Sequence, residues 1–323
     1  MNKYRKWSQE DINSIVNMKS EGLSWVDVAR KIGGNPESVR SAFRRAVGSK
    51  YTAYADKLPP KPTQLPVIAI LDIETLPMIR YSWSLYDDYA SPDQIIVDSC
   101  MLSWAGRYIN MPEIHSDVLT SSETRIQDKK RDTKRITESL WKFLREVDAV
   151  VGHNYAGFDL LRINTEFLHH GLPPLKYTVI DTYQLARRHF KFASNKMKFI
   201  NEALGIRNKV GNDGFSLWER CSEGDSTALQ TMLDYNKGDI GATEELFYKL
   251  RPYIKNFNVG IYNESLEYQC PVCGSEDLSY DERPWPTPAG LWESARCNSC
   301  GCLFRLKYNL LDKNKKRVLG VNS

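Results

Sequence analysis

The spacing of apolar and polar residues changes character twice along the chain. Over residues 7–47 it is helical. Ile12, Ile15 and Val16 share a face behind a Trp7-Ser8-Gln9-Glu10-Asp11 opening. There Ser8 can cap and the acids suit a helix N-terminus, and Gly22 stops the segment. A second predicted helix is capped by Ser24 and runs through Trp25, Val28, Ala29 and Ile32 to Gly33-Gly34. A third starts with Asn35 as cap and Pro36 in its first turn. It turns Val39, Ala42 and Phe43 inward and carries Arg40, Arg44 and Arg45 elsewhere around it. Residues 50–66 contain four prolines, which break helices and predict a stiff linker.

At Val67 the pattern becomes that of strands. The branched apolar run Val67-Ile68-Ala69-Ile70-Leu71 predicts a buried strand that ends in Asp72-Ile73-Glu74-Thr75. Further predicted strands lie over 94–110 (Ile95, Ile96, Val97, Trp104), 114–119, 149–154 and 179–181. Predicted helices lie near 134–147, with Ile136, Leu140, Phe143 and Leu144 on one face, over 158–170, onward to about 205, and over 226–253. Strands first and helices later predict an α/β domain over 67–258. Between them Tyr81, Trp83, Tyr86 and Tyr89 form an aromatic stretch, suited either to a core or to stacking on unpaired bases.

With 323 residues the chain is long enough for more than one domain. Its hydrophobic share of 41% and charged share of 26% are those of a folded soluble protein. It has no apolar run long enough to span a membrane and no signal-peptide core, so a cytoplasmic location is expected. The net charge of +4 is uneven: residues 1–60 hold eleven Lys/Arg against six Asp/Glu. A basic first domain suits a polyanion.

Candidate chemistry comes from acids and thiols. Asp72 and Glu74 are two apart, so on a strand they point to one face. Side-by-side carboxylates favour a divalent cation with oxygen ligands, such as Mg²⁺ or Mn²⁺. A second acid, Asp159, falls in a predicted first helical turn after His153-Asn154-Tyr155-Ala156-Gly157-Phe158. A third element carries Tyr235 and Asp239, at i and i+4 on a helical face. In the tail, Cys270-Pro271-Val272-Cys273-Gly274 and Cys297-Asn298-Ser299-Cys300-Gly301 make two close pairs of thiols. Four thiolates in two such pairs suit one tetrahedral structural Zn²⁺. Cys302 reads as a bystander, and Cys100 and Cys221 as packing residues.

The ordered set Asp72-x-Glu74, Asn154-x-x-x-Phe158-Asp159 and Tyr235-x-x-x-Asp239 resembles the DnaQ-like, or DEDD, superfamily of 3′→5′ exonucleases, in its tyrosine subclass. The histidine subclass would need His at position 234, which is Asp. The resemblance covers about 67–253 and implies a ribonuclease H-like mixed sheet flanked by helices. It implies two Mg²⁺ or Mn²⁺ ions, with Asp72 bridging both, Glu74 and Asp239 serving the nucleophile's ion and Asp159 the other. Tyr235 would orient the water. Thr75 and Leu76 would meet the terminal nucleotide through backbone amides and a wedge side chain, and Asn154 would fix substrate or the local backbone. His153 reads as a local structural residue.

The opening of residues 1–49 resembles the Myb/SANT and homeodomain-like helix-turn-helix group, which implies DNA contact through Arg40, Arg44 and Arg45. A small helical bundle docking on a protein is the other reading. Residues 259–323 resemble a zinc ribbon with a basic tail. That ribbon either binds nucleic acid or closes the C-terminus, and Lys313, Lys315, Lys316 and Arg317 either touch phosphates or form a solvated end. Together the resemblances imply a DNA 3′→5′ exonuclease acting on a single-stranded 3′ end in phage or bacterial replication or repair, with a DNA polymerase or other replication protein as a partner. An RNA exonuclease akin to ribonuclease D, and an inert DNA-binding adaptor, are the alternatives.

Overall fold

The structure is a computed structural model. It describes residues 7–21, 23, 25–34, 39, 42–43, 65–85, 91–206, 214–263, 265 and 267–320. The chain falls into two compact units, Met1–Thr63 and Gln64–Ser323.

In the first unit, α1 (Gln9–Ser20) opens on a capping box. Ser8 Oγ accepts the Asp11 N–H at 3.1 Å, and Asp11 returns an oxygen to the Ser8 N–H at 3.0 Å. α2 (Trp25–Ile32) follows. Ile15, Val28, Ala29, Val39 and Phe43 form its buried core, with Trp7 packed against them. The expected start of a third helix at Asn35, its arginines Arg40, Arg44 and Arg45, and residues 50–64 of the linker lie outside the described residues.

The second unit is built on a five-stranded mixed sheet in the order β5-β4-β1-β6-β7. These are β1 (Ile68–Leu76), β4 (Cys100–Tyr108), β5 (His115–Val118), β6 (Ala149–Gly152) and β7 (Thr178–Asp181). A short pair, β2 (Ile79–Arg80) with β3 (Ile95–Val97), follows β1. β1, β6 and β7 run parallel, whereas β4 and β5 are antiparallel to their neighbours. The central strand β1 is covered on both faces, hence its unbroken apolar run. On one face Ala69, Leu71 and Ile73 pack with α3 (Lys134–Leu144) and α4 (Asp159–His169) through Ile136, Leu140, Phe143, Ile163 and Phe167. On the other, Ile70, Val151 and Ile180 pack with Ile240 and Phe247. These two belong to a 25-residue helix, α8 (Ser226–Leu250), which Asp225 caps. Before it come α5 (Thr182–His189), α6 (Met197–Leu204) and α7 (Phe215–Ser222).

Three local features depart from the sequence pattern. α7 and β2 carry too few residues for a period to show. Pro252 ends α8 at Leu250, and a 3-10 turn (Arg251–Tyr253) completes the expected helical span. Tyr81 and Trp83 are 71% and 93% exposed, so neither is a core residue; Tyr86 and Tyr89 lie outside the described residues. Among the described residues no helix is long and apolar enough to cross a membrane.

The tail forms a separate three-stranded sheet, β10-β9-β8, from β8 (Leu278–Thr287), β9 (Gly290–Cys297) and β10 (Leu303–Asn309), followed by α9 (Lys313–Arg317). Its cysteine knuckles share one apolar cluster with the large sheet. Cys270, Val272 and Cys297 are buried with Val259, Ile70, Ile240 and Phe247.

Gly152, the last residue of β6, sets how closely the next turn can fold back. A Cβ there would lie 2.9 Å from Tyr155 Cβ and 3.1 Å from the Leu71 carbonyl oxygen. Gly152→Ala is therefore expected to cost roughly 1–3 kcal/mol by overpacking. A lower urea midpoint at unchanged slope checks this, and an unaltered midpoint would mean that the turn yields freely.

Candidate active site and metal centre

The parallel strands β1 and β6 pair only from Ile68 to Ile70, so the carboxyl end of β1 runs free of its neighbour. Crevices of this kind, beyond the carboxyl ends of parallel strands, are where open α/β sheets hold ligands. The backbone N–H of Ile73, no longer used by β6, donates to Asp159 Oδ1 at 3.2 Å. That bond ties the first turn of α4 to β1.

Asp72 and Glu74 share a face of β1, and α8 brings Asp239 against them. One carboxylate oxygen from each of the three lies within 4.8 Å of the others. Asp239 is buried, while Asp72 and Glu74 are half-buried. Asp159 is buried and is not in that group of three, but it lies near enough to feel the charges of Asp72 and Glu74. Burial first, and then the charge of Asp72, raise the Asp159 carboxyl well above the usual carboxylate range. Like charges held this closely repel, and the hard oxygen donors fit Mg²⁺ or Mn²⁺.

Tyr235 stands one helical turn before Asp239 on α8 and meets Trp218 of α7 edge to face, with ring centroids 6.3 Å apart. Burial, and then the charges of Glu74 and Asp72, raise its phenol above the ordinary value, so at neutral pH it keeps its proton. α7, which the sequence pattern does not reveal, therefore supports this ring.

Two of the expected substrate contacts look different in space. Between Glu74 and Thr75 the pairing of β1 with β4 slips by one residue: Glu74 faces Ser103, but Thr75 faces Met101. Past the slip, Leu76 is fully buried in the cluster of Ala69, Leu71 and Ile73. Its side chain is packed into the core, not set out toward solvent as a wedge would be; Thr75 remains half-exposed. Asn154 is exposed and has φ 61°, and its backbone N–H donates to Asp181 Oδ1 at 3.0 Å. Asp181 also accepts from Ala156 N–H at 3.0 Å and caps α5. The 154–158 turn is thus held by a carboxylate at the end of β7. His153 hydrogen-bonds Thr182 Oγ1 and the Asn195 carbonyl, and burial lowers its pKa, so it stays a neutral structural ring.

The residue that sequence reasoning passed over is Asn236. It is fully buried on α8, and its Nδ2 donates to Asp72 Oδ2 at 2.7 Å. Its neighbour Tyr235 belongs to a recognisable pattern, whereas a lone Asn carries no signal.

In the tail, one sulfur each of Cys270, Cys273, Cys297 and Cys300 lies within 4.8 Å of the other three. The Cys270–Cys300 and Cys273–Cys297 sulfur pairs are 3.5 Å apart. Tetrahedral Zn–S bonds of about 2.3 Å put sulfurs roughly 3.8 Å apart, so the four thiols fit zinc. Each knuckle closes by a glycine N–H bonding the first cysteine's carbonyl, Gly274 to Cys270 and Gly301 to Cys297. Both glycines have φ above +70°, where a side chain would be strained. Burial acts to raise the Cys297 thiol, but the N–H groups of Cys300 and Ser299 and the Cys273 thiol pull it down to about 7. Cys302 is buried next to the cluster, Cys221 is buried and Cys100 half-buried. Lys313, Lys315, Lys316 and Arg317 are exposed on α9.

Residues 110–251 match the RNase_H superfamily. The matched stretch holds Asp159, Tyr235 and Asp239, and β1 precedes it. No curated protein matches the chain. Among solved structures, it is similar to the family B DNA polymerase from the hyperthermophilic archaeon Pyrobaculum calidifontis, with 16% identity and a TM-score of 0.42. That alignment covers 64% of this chain and 28% of the polymerase, so the chain spans little more than a quarter of its length. The five-stranded mixed sheet flanked by helices is ribonuclease H-like.

Proposed function

We propose that the chain is a metal-dependent 3′→5′ exonuclease that hydrolyses DNA phosphodiesters one nucleotide at a time. The observation that carries this reading is the convergence within 4.8 Å of Asp72 and Glu74 from β1 and Asp239 from α8, elements far apart in the chain, with buried Asp159 near enough to feel their charge. Four carboxylates holding two divalent cations match the charge of a phosphodiester reaction in which both the attacking and the leaving oxygen need stabilising. When bound, two Mg²⁺ or Mn²⁺ ions supply Lewis-acid stabilisation of those oxygens and make water a better nucleophile at neutral pH.

The protein's own groups divide the remaining work. Asp72, Glu74, Asp159 and Asp239 hold the cations. Tyr235 keeps its proton and so donates a hydrogen bond that orients the attacking water rather than acting as base. Thr75, half-exposed, and Asn154, exposed, are the groups assigned to the terminal nucleotide. DNA is favoured because the basic first unit resembles DNA readers, with Arg40, Arg44 and Arg45 as phosphate or base contacts. Cys270, Cys273, Cys297 and Cys300 hold one structural Zn²⁺.

A 5′-labelled oligonucleotide tests this. With Mn²⁺ or Mg²⁺ it is expected to shorten in single-nucleotide steps, and a blocked 3′ end is expected to protect it. Rapid internal cutting of the blocked strand would replace an exonuclease with an endonuclease. Faster loss of the RNA version of the same strand would move the substrate to RNA.

A further inference from the structure

Beyond the four carboxylates and the tyrosine, we infer that Asn236 is a positioning residue that fixes the Asp72 carboxylate for cation binding. This rests on the reading of the acidic cluster as a cation site. The side chain of Asn236 is fully buried between α8 and the sheet. Its Nδ2 donates to Asp72 Oδ2 at 2.7 Å and makes a longer contact, 3.4 Å, with the Asp72 carbonyl oxygen. Its Oδ1 accepts from Ser103 Oγ at 3.3 Å. The orientation of the amide follows from chemistry: an ionised carboxylate only accepts, so nitrogen must face Asp72. Ser103 is itself fully buried and lies opposite Glu74 in the pairing of β1 with β4. A chain of hydrogen bonds therefore runs Ser103 to Asn236 to Asp72 and ties β4, α8 and β1 together at the crevice.

The choice of an amide has a consequence. Lysine or arginine at this place would cancel the charge that a cation needs. A neutral donor restrains one oxygen of Asp72 and leaves the carboxylate its negative charge. Asn236 precedes Asp239 by three residues on α8, so the two side chains lie on neighbouring parts of one helical face. One helix thus delivers a ligand and the group that orients a second ligand. Partners that orient metal ligands typically contribute about 10–100-fold to metal affinity or activity.

Isothermal titration of Mn²⁺ into the full chain, with zinc already bound, tests this. Asn236→Ala is expected to weaken Mn²⁺ binding at least about tenfold. In the nuclease assay it is expected to lower kcat with little change in KM, and saturating Mn²⁺ should restore part of the loss. Ser103→Ala is expected to act in the same direction and more weakly. A merely structural role would lower the melting temperature of the cation-free protein and leave the Mn²⁺ affinity unmoved, which would overturn the inference. Asp72→Ala separates the two readings. If Asp72→Ala abolishes Mn²⁺ binding and Asn236→Ala and Ser103→Ala leave it intact, the positioning role fails alone. If Asp72→Ala binds Mn²⁺ normally, the cation site itself fails.

Discussion

Replacing Asp72 with alanine is expected to abolish strand cleavage while leaving affinity for nucleic acid nearly unchanged. The carboxylate sits where three elements meet. It shares a face of β1 with Glu74, its oxygen receives the Asn236 amide, and its charge is felt by Asp159 and Tyr235. Removing it takes away a ligand oxygen and part of the negative field that draws cations in. If several kcal/mol of transition-state stabilisation rest on the cations, the rate should fall by at least about 10³-fold. Binding of the strand draws on other groups and should change only a few-fold. Like charges crowded at the crevice destabilise the cation-free fold, so their relief offsets part of what the lost hydrogen bond contributed. Mg²⁺ should raise the melting temperature of the native chain and leave that of Asp72→Ala unmoved. Single-turnover cleavage within tenfold of the native rate, with a normal Mg²⁺ response, would remove the cation mechanism.

How far the sequence foretold this arrangement depends on the range of the interaction. The strand bearing Asp72 and Glu74 was legible because its apolar run and its period of two are local properties of β1. The helix bearing Tyr235 and Asp239 was legible from its spacing of four, and the knuckles from two short cysteine motifs with glycine behind them. What stayed hidden lies between elements. The slip after Glu74 depends on which β4 residue pairs with Thr75, and it is this slip that accompanies Leu76 into the core instead of toward a substrate. Asn236 reaches partners 133 and 164 residues away in the chain, Ser103 and Asp72, so no local pattern could mark it. Asp181 looked like an ordinary strand end, yet it holds both the 154–158 turn and the start of α5. Trp83 shows the converse: an aromatic in a stretch suited to a core is almost wholly exposed.

Loss of a zinc ion held by the tail's four cysteines is expected to weaken the large sheet as well as the tail. The knuckle residues Cys270, Val272 and Cys297 lie in one buried cluster with Ile70 of β1 and with Ile240 and Phe247 of α8. Ile70 precedes Asp72 by two residues on the same strand face, and Ile240 directly follows Asp239. Four thiols brought together without a cation must stay protonated or repel, whereas zinc binding makes their closeness favourable and contributes folding free energy. Native protein should therefore contain one zinc per chain, and Cys297→Ser should lose it. Cys302→Ser should keep it, because that sulfur lies outside the cluster of four. If only about 3–5 kcal/mol of the zinc contribution is shared with the large sheet, its loss should lower the melting temperature by roughly 10 °C. Cleavage should then decline at temperatures well below the native melting point, as β1 and α8 lose their backing. Zinc-free protein that melted and cut as the native chain does would show that the tail is only appended to the sheet. A loss of cleavage with no change in melting would instead place the tail in substrate binding.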